Sequence, residues 1–211
     1  MEYRYAYLHG FASSARSHKG VALQERLAKR GIELWLPDLN RPSFARLSHD
    51  AMLQHLDSMD RLAEAPWRFI GSSLGGWVAA RWAELNPTRV DRLVLLCPGF
   101  DLSSRWPLLF GQQAIHDWRA TGTMMVPDAV GTPTPLHYEF FAESQRQVAV
   151  PEPRQPTLII HGRRDQVVPF ESSERFAKPR THVTLVAVDD DHGLASSLDT
   201  IEHESLRHFK L

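Results

Sequence analysis

Three residue types at three places could together make an alcohol nucleophilic: Ser73, Asp165 and His192. A serine hydroxyl attacks a carbonyl poorly until a base takes its proton, and the base works best when a third group holds its tautomer. Ser73 lies in Phe69-Ile70-Gly71-Ser72-Ser73-Leu74-Gly75-Gly76. A β-branched and aromatic stretch, Trp67 to Ile70, leads in, and a helical pattern (Val78, Ala79, Ala80, Trp82, Ala83, Leu85) leads out to Asn86-Pro87. The pattern Gly71-x-Ser73-x-Gly75 thus falls where a strand turns sharply into a helix, the setting of a nucleophile elbow. Glycines stand at the two crowded positions flanking Ser73, whereas Ser72 would have Ile70 and Leu74 there. Ser73 is the candidate nucleophile.

Asp165 follows the apolar run Thr157 to Ile160 in His161-Gly162-Arg163-Arg164-Asp165-Gln166-Val167-Val168-Pro169. His192 follows the run Val183 to Val188 in Asp189-Asp190-Asp191-His192-Gly193. Its place after a strand and before Gly193 separates it from His9, His161, His182, His203 and His208, which read as packing or surface residues. Asp101 is the alternative acid, set soon after the preceding core strand. Asp189, Asp190 and Asp191 lie too close to His192 in sequence to reach its far nitrogen and read as solvation of the loop. An oxyanion formed at the attacked carbonyl needs N–H donors. Leu74 N–H, after the nucleophile, and Phe11 N–H, in His9-Gly10-Phe11-Ala12-Ser13-Ser14 after the first strand, are the candidates. His9 is expected to brace that loop.

Other chemistries fit less well. Gly71 to Gly76 lacks the Lys-Ser/Thr of a phosphate loop and the G-x-G-x-x-G spacing of a dinucleotide site. His203-Glu204 with His208 suggests metal ligands, but a five-residue step turns about 140° around a helix, where four residues would keep one face. No catalytic metal is expected.

These residues require a scaffold that delivers strand ends to one edge. Strand-like runs (Tyr3 to Leu8, Ile32 to Leu36, Trp67 to Ile70, Arg92 to Cys97, Thr157 to Ile160, Val183 to Val188) alternate with helical patterns. Those patterns cover His18 to Lys29, Ser43 to Glu64, the segment after Ser73, and Ala195 to Phe209. Strands apolar throughout imply a sheet covered on both faces, so the expectation is a three-layer α/β/α sandwich on a mostly parallel sheet of about six strands. Such sheets bind ligands at the carboxyl ends of their strands. Between Pro98 and Pro156 lie eight of the 14 prolines, with aromatic residues and no clear strand. Residues 98–156 read as an insertion of short helices and loops, a minimal cap over the site, and Trp106, Phe110 and Tyr138 together with Phe11 are expected to bind substrate. These aromatic residues suggest an apolar acyl or aryl group.

The chain of 211 residues, 43% hydrophobic, suits a single domain over 1–211. A net charge of -1 gives no case for nucleic acid. The one cysteine, Cys97, sits in an apolar run and reads as a buried thiol. Without a signal-like N-terminus or a membrane-length apolar stretch, a cytoplasmic protein with a small-molecule substrate is expected.

Leu8-His9-Gly10-Phe11 with Ser13-Ser14, Gly-x-Ser73-x-Gly, His161-Gly162-x-x-Asp165-x-x-Val168-Pro169 and Asp191-His192-Gly193 together resemble the α/β-hydrolase superfamily, whose chain order is serine, acid, histidine. The small size and the Gly-Phe-x-Ser-Ser loop look like the compact bacterial YqiA-like esterases. The resemblance implies cofactor-free hydrolysis of carboxylic esters or acyl thioesters by a serine esterase. It also implies that the two leading strands of larger members are missing, since the first strand here already feeds the oxyanion loop. The same machinery could serve C–C bond or amide hydrolysis, or acyl transfer, and a non-catalytic hydrolase-like binding protein is the reading of another class.

Overall fold

The computed structural model describes residues 2–211. Six strands, β1 (Arg4–Leu8), β2 (Leu34–Trp35), β3 (Trp67–Ser72), β4 (Val90–Leu96), β7 (Thr157–Gly162) and β8 (Val183–Val188), form one sheet in the order β2-β1-β3-β4-β7-β8. Every neighbouring pair is parallel. All the strands therefore end at the same edge, where a ligand site of such a sheet is built.

Alternation of side chains explains why the strands read as apolar throughout. Along β4, Leu93 and Leu95 pack into one buried cluster with Met52, Leu56 and Val78, while Val94 and Leu96 pack into another with Leu23, Leu27, Ile201 and Phe209. The first cluster holds α2 (His49–Asp60), α3 (Leu74–Leu85) and α7 (Phe170–Ala177) on one face. The second holds α1 (His18–Ala28) and α8 (Leu198–Phe209) on the other. A parallel strand covered on both faces has no polar side to display.

Two expectations need correction. The helix expected over Ser43 to Glu64 is shorter, because Ser48 caps it: its Oγ accepts from Ala51 N–H at 3.1 Å, and Ser48 N–H is tied back to Arg41 O. Phe44 still packs on the core from the preceding turn, so the apolar period runs past the helix start. At the other end the Arg89 guanidinium grips Asp60 and the carbonyl of Ala63, holding the chain in a turn before Pro66.

The second correction concerns residues 98–156, which do contain strands. α4 (Leu102–Phe110) and α5 (Gln112–Thr121) lead into an antiparallel hairpin, β5 (Thr123–Pro127) and β6 (Pro133–His137), followed by α6 (Glu139–Ser144). Pro127 pairs with Pro133 and Met125 with Pro135, so the three prolines share one parity. That parity can face away from the partner strand, leaving the intervening pairs Met124–Leu136 and Val126–Thr134 to make the ladder bonds. The segment builds no core of its own: Trp106, Trp118, Leu136 and Phe140 are buried in the cluster that contains β3 and β4.

Candidate active site

Ser73 sits between β3 and α3 with φ 52° and ψ −116°, a conformation sparsely populated by L-residues. Neighbouring glycines make the turn feasible. A Cβ on Gly71 would lie 2.5 Å from Gly75 O, and one on Gly75 would collide with the carbonyl oxygens of Leu8 and His9. Gly75 therefore lets α3 start directly against the end of β1. Ser73 N–H donates to Leu96 O at 2.9 Å, which ties the turn to β4.

His192, in the loop after β8, reaches this turn. Its Nδ1 donates to Asp165 Oδ2 at 2.6 Å, which leaves Nε2 unprotonated and 3.0 Å from Ser73 Oγ. The hydroxyl is thereby set to donate to the imidazole. Ser73 and Asp165 are buried, while the His192 side chain is about a quarter exposed. Asp165 follows β7 in a tight turn in which its Oδ1 accepts from Val167 and Val168 N–H, each at 2.8 Å. Burial would raise its pKa, but hydrogen bonds from His161 and His192 outweigh that and hold the carboxyl well below its usual range. Asp101 is exposed, in a left-handed turn before α4, and His192 Nδ1 has Asp165 as its acceptor instead.

His161 has a partner that its sequence position does not announce. Its ring is fully buried, with Nδ1 accepting from Ser173 Oγ at 2.7 Å. Nε2–H points at Val168 O (2.9 Å) and at Asp165 Oδ2 (3.1 Å). The one available sequence signal is the His-Gly pair closing an apolar strand four residues before an acid. His9 braces its loop as expected: Nδ1 donates to Gly10 O and Nε2 accepts from Leu39 N–H, each at 2.9 Å.

A Cβ on Gly10 would lie 3.2 Å from both Ser72 O and Ser73 Cβ, so the loop after β1 crosses directly over the serine. Among the described residues, the N–H groups of Phe11 and Leu74 donate to no protein acceptor. Leu74 is the first residue of α3 and offers its N–H at the positive end of that helix.

A cavity of about 430 Å³ opens over Ser73 and His192, lined by Gly10 and Phe11 of the β1 loop and by Ser17 and Lys19 at the start of α1. Trp106, Phe110 and Tyr138 do not line it. Trp106 is buried edge-on to Phe11 (5.0 Å between ring centres) and stacks with Phe110. Tyr138 packs on Trp118 and Phe141. Trp106 and Phe140, the latter at 5.7 Å, thus hold Phe11, while Phe110 stays partly exposed on the outer side of Trp106. A further hollow of about 530 Å³ lies beside Tyr3, Arg68 and Lys210, away from these residues.

Cys97, Asp165 and His192 bring one ligand-type atom each within 4.8 Å of one another. Asp165 and His192 are committed to each other, and burial pushes the Cys97 thiol pKa up, which keeps it protonated and a poor metal ligand. Among the described residues no helix is long and apolar enough to cross a membrane.

Comparison with known proteins gives a consistent picture. The model of a family described as uncharacterised protein family UPF0227 matches residues 4–210. Mouse mitochondrial palmitoyl-protein thioesterase ABHD10 is 25% identical over 154 residues, covering 68% of this chain and 51% of that protein. The 2-hydroxymuconate semialdehyde hydrolase of Pseudomonas sp. (strain CF600) is 26% identical over 180 residues, covering 68% and 62%. The chain thus spans about half the length of the mouse relative it matches. Est1E from Butyrivibrio proteoclasticus, solved with ferulic acid, superposes with a TM-score of 0.80 at 19% identity over 100% of this chain and 90% of that one. Mouse alpha/beta hydrolase domain-containing protein 10 does so with 0.78 at 20% identity over 97% and 88%.

Proposed function

The chain belongs to the uncharacterised protein family UPF0227 and has the α/β-hydrolase fold, and from that premise we propose that it is a serine hydrolase cleaving carboxylic esters or acyl thioesters. The hydrolase class is supported by relatives whose names denote a thioesterase and a semialdehyde hydrolase. The observation that carries the serine mechanism is the relay itself, 3.0 Å from Ser73 Oγ to His192 Nε2 and 2.6 Å from His192 Nδ1 to Asp165.

In this reading Ser73 Oγ attacks the acyl carbon as its proton passes to His192 Nε2. Asp165, ionised at neutral pH, stabilises the imidazolium. The N–H groups of Phe11 and Leu74 receive the negative charge that develops on the carbonyl oxygen, a role worth about 10²–10³-fold in kcat for one donor. The tetrahedral species collapses as Nε2–H protonates the leaving oxygen or sulfur, giving an acyl-Ser73 ester. Water, deprotonated by His192, then attacks that ester, and the acid departs as Ser73 recovers its proton. Residues 98–156 act as a minimal cap that presses on the oxyanion loop through Trp106 and Phe140.

A fluorophosphonate probe tests the reading directly. A covalent adduct on Ser73 is expected, absent in Ser73→Ala, with kcat on aryl esters reduced about 10⁴-fold or more in that variant. Folded protein that neither labels nor hydrolyses any ester, thioester or semialdehyde substrate leaves a binding protein as the remaining reading.

A further inference from the structure

The cavity above Ser73 is lined by one ammonium and several hydroxyl groups and by no carboxylate. Its wall includes Tyr7, Ser13, Ser17, His18 and Lys19, and Lys19 is its one lysine or arginine. The Lys19 ammonium donates to Gly193 O at 2.6 Å, a neutral acceptor, and among the described residues it makes no salt bridge. Two of its three N–H bonds remain uncommitted.

None of the acids that act on it lies within 4.0 Å of the ammonium, and Asp190 and Asp165 are occupied elsewhere. Asp191 Oδ1 accepts from Gly193 N–H at 2.7 Å. Asp190 accepts from Asp191 N–H, Ser196 N–H and the Ser197 hydroxyl. Both oxygens of Asp165 are taken by its own turn and by histidines. Burial lowers the Lys19 pKa, against the upward pull of the Asp191, Asp190 and Asp165 carboxylates.

We propose that Lys19 binds an anionic group, carboxylate or phosphate, on the leaving alcohol or thiol of the substrate. The assignment rests on the serine-hydrolase reading, and geometry decides the side. Lys19 is bonded to the residue next to His192, and His192 is the group that protonates the leaving atom, so the cation flanks the leaving group rather than the acyl chain. The anion is bound and released unchanged, and the bond broken remains the acyl–oxygen or acyl–sulfur bond. A single charge-assisted hydrogen bond in a half-buried site corresponds to about 10-fold in affinity or kcat/KM.

The test compares butyryl esters of 4-hydroxybenzoate, of its uncharged methyl ester, and of 4-hydroxyphenyl phosphate, with wild type, Lys19→Arg, Lys19→Met and Lys19→Glu. In parallel, calorimetry measures the binding of 4-hydroxybenzoate, methyl 4-hydroxybenzoate and 4-hydroxyphenyl phosphate to Ser73→Ala protein with and without Lys19→Met. The expected result is a wild-type preference of about 10-fold for a charged ester over the neutral one. The preference is kept in Lys19→Arg, erased in Lys19→Met and reversed in Lys19→Glu. The two charged esters say which anion is preferred. An unchanged preference ratio in Lys19→Met, or equal wild-type rates on charged and neutral esters, overturns the proposal and leaves Lys19 as a brace for the Gly193 loop. If no ester turns over, the hydrolase reading fails by itself. Calorimetry then still decides the anion site: binding of the charged phenols that weakens about 10-fold in Lys19→Met upholds it, and binding indifferent to charge overturns it.

Discussion

The Nε2 of His161 lies 3.1 Å from Asp165 Oδ2, the same oxygen that accepts from His192 Nδ1. One carboxylate oxygen is thus addressed by two imidazoles, one partly exposed and one sealed in the core. A buried carboxylate so loaded stays ionised and fixed in direction, which is what a partner of His192 needs.

Removing one of those two donors should be felt at Ser73. His161→Phe fills most of the ring volume but donates nothing, so kcat is expected to fall about 10- to 100-fold, the equivalent of a hydrogen bond to a charged group. The Asp165 carboxyl, followed by its carbon resonance, should also take up its proton at higher pH, because it loses a group that holds its pKa down. His161→Gln, which can still donate, should recover part of both effects. An unchanged Asp165 titration in His161→Phe would reduce His161 to a packing residue.

Asp165→Asn presents a sterically matched group that favours the wrong imidazole tautomer. A loss of about 10⁴-fold in kcat is expected, with the fold retained as judged by circular dichroism. The same substitution at Asp101, exposed and unconnected to His192, should leave kcat within about 2-fold.

Gly75→Ala places a methyl group against the Leu8 and His9 carbonyl oxygens. Backbone at the end of a central strand cannot move aside cheaply, so a loss of about 3 kcal/mol or more of stability is expected from denaturant titration. Ester hydrolysis should fall with it, because the same shift displaces Ser73 from the loop that carries Phe11.

His49 makes stability depend on acidity. Its ring stacks on Phe140 at 4.8 Å and meets Trp77 edge-on, its Nδ1 has no hydrogen-bond partner, and burial lowers its pKa to about 4. Between pH 6.5 and 4 the unfolded chain takes up a proton on His49 that the folded chain refuses. Stability is therefore complete above 6.5 and declines as pH falls through that window, by up to about 3 kcal/mol. Thermal melts of His49→Phe should show a flatter pH dependence across this range; parallel curves for the two proteins would remove His49 as the cause.

What the sequence makes legible is local. The glycines around Ser73 matter because of contacts within a few residues and against the adjoining strand, and the runs before Asp165 and His192 announce strand ends by composition alone. Features that depend on distant chain are silent. Pro127, Pro133 and Pro135 argue against strands unless their outward parity is known, and that parity exists only once the hairpin is paired. The apolar rhythm through Phe44 and Leu47 conceals the start of α2, since those side chains reach the core from a turn. His161 meets Ser173 and Asp165 only when the β7 turn closes, and Lys19 meets Gly193 across 174 residues of sequence. Aromatic composition alone suggests that Trp106, Phe110 and Tyr138 face a ligand, because it cannot say which rings face one another.

The embrace of Phe11 by Trp106 and Phe140 couples two properties usually varied separately. A segment that tunes selectivity can drift freely only if it leaves the reacting geometry alone. Here one indole and one phenyl ring of that segment grip the loop whose amide is proposed to receive the developing charge. Grafting a relative's version of residues 98–156 onto this sheet would therefore change velocity together with preference, and directed evolution of this protein should find its gains in paired substitutions spanning the two segments.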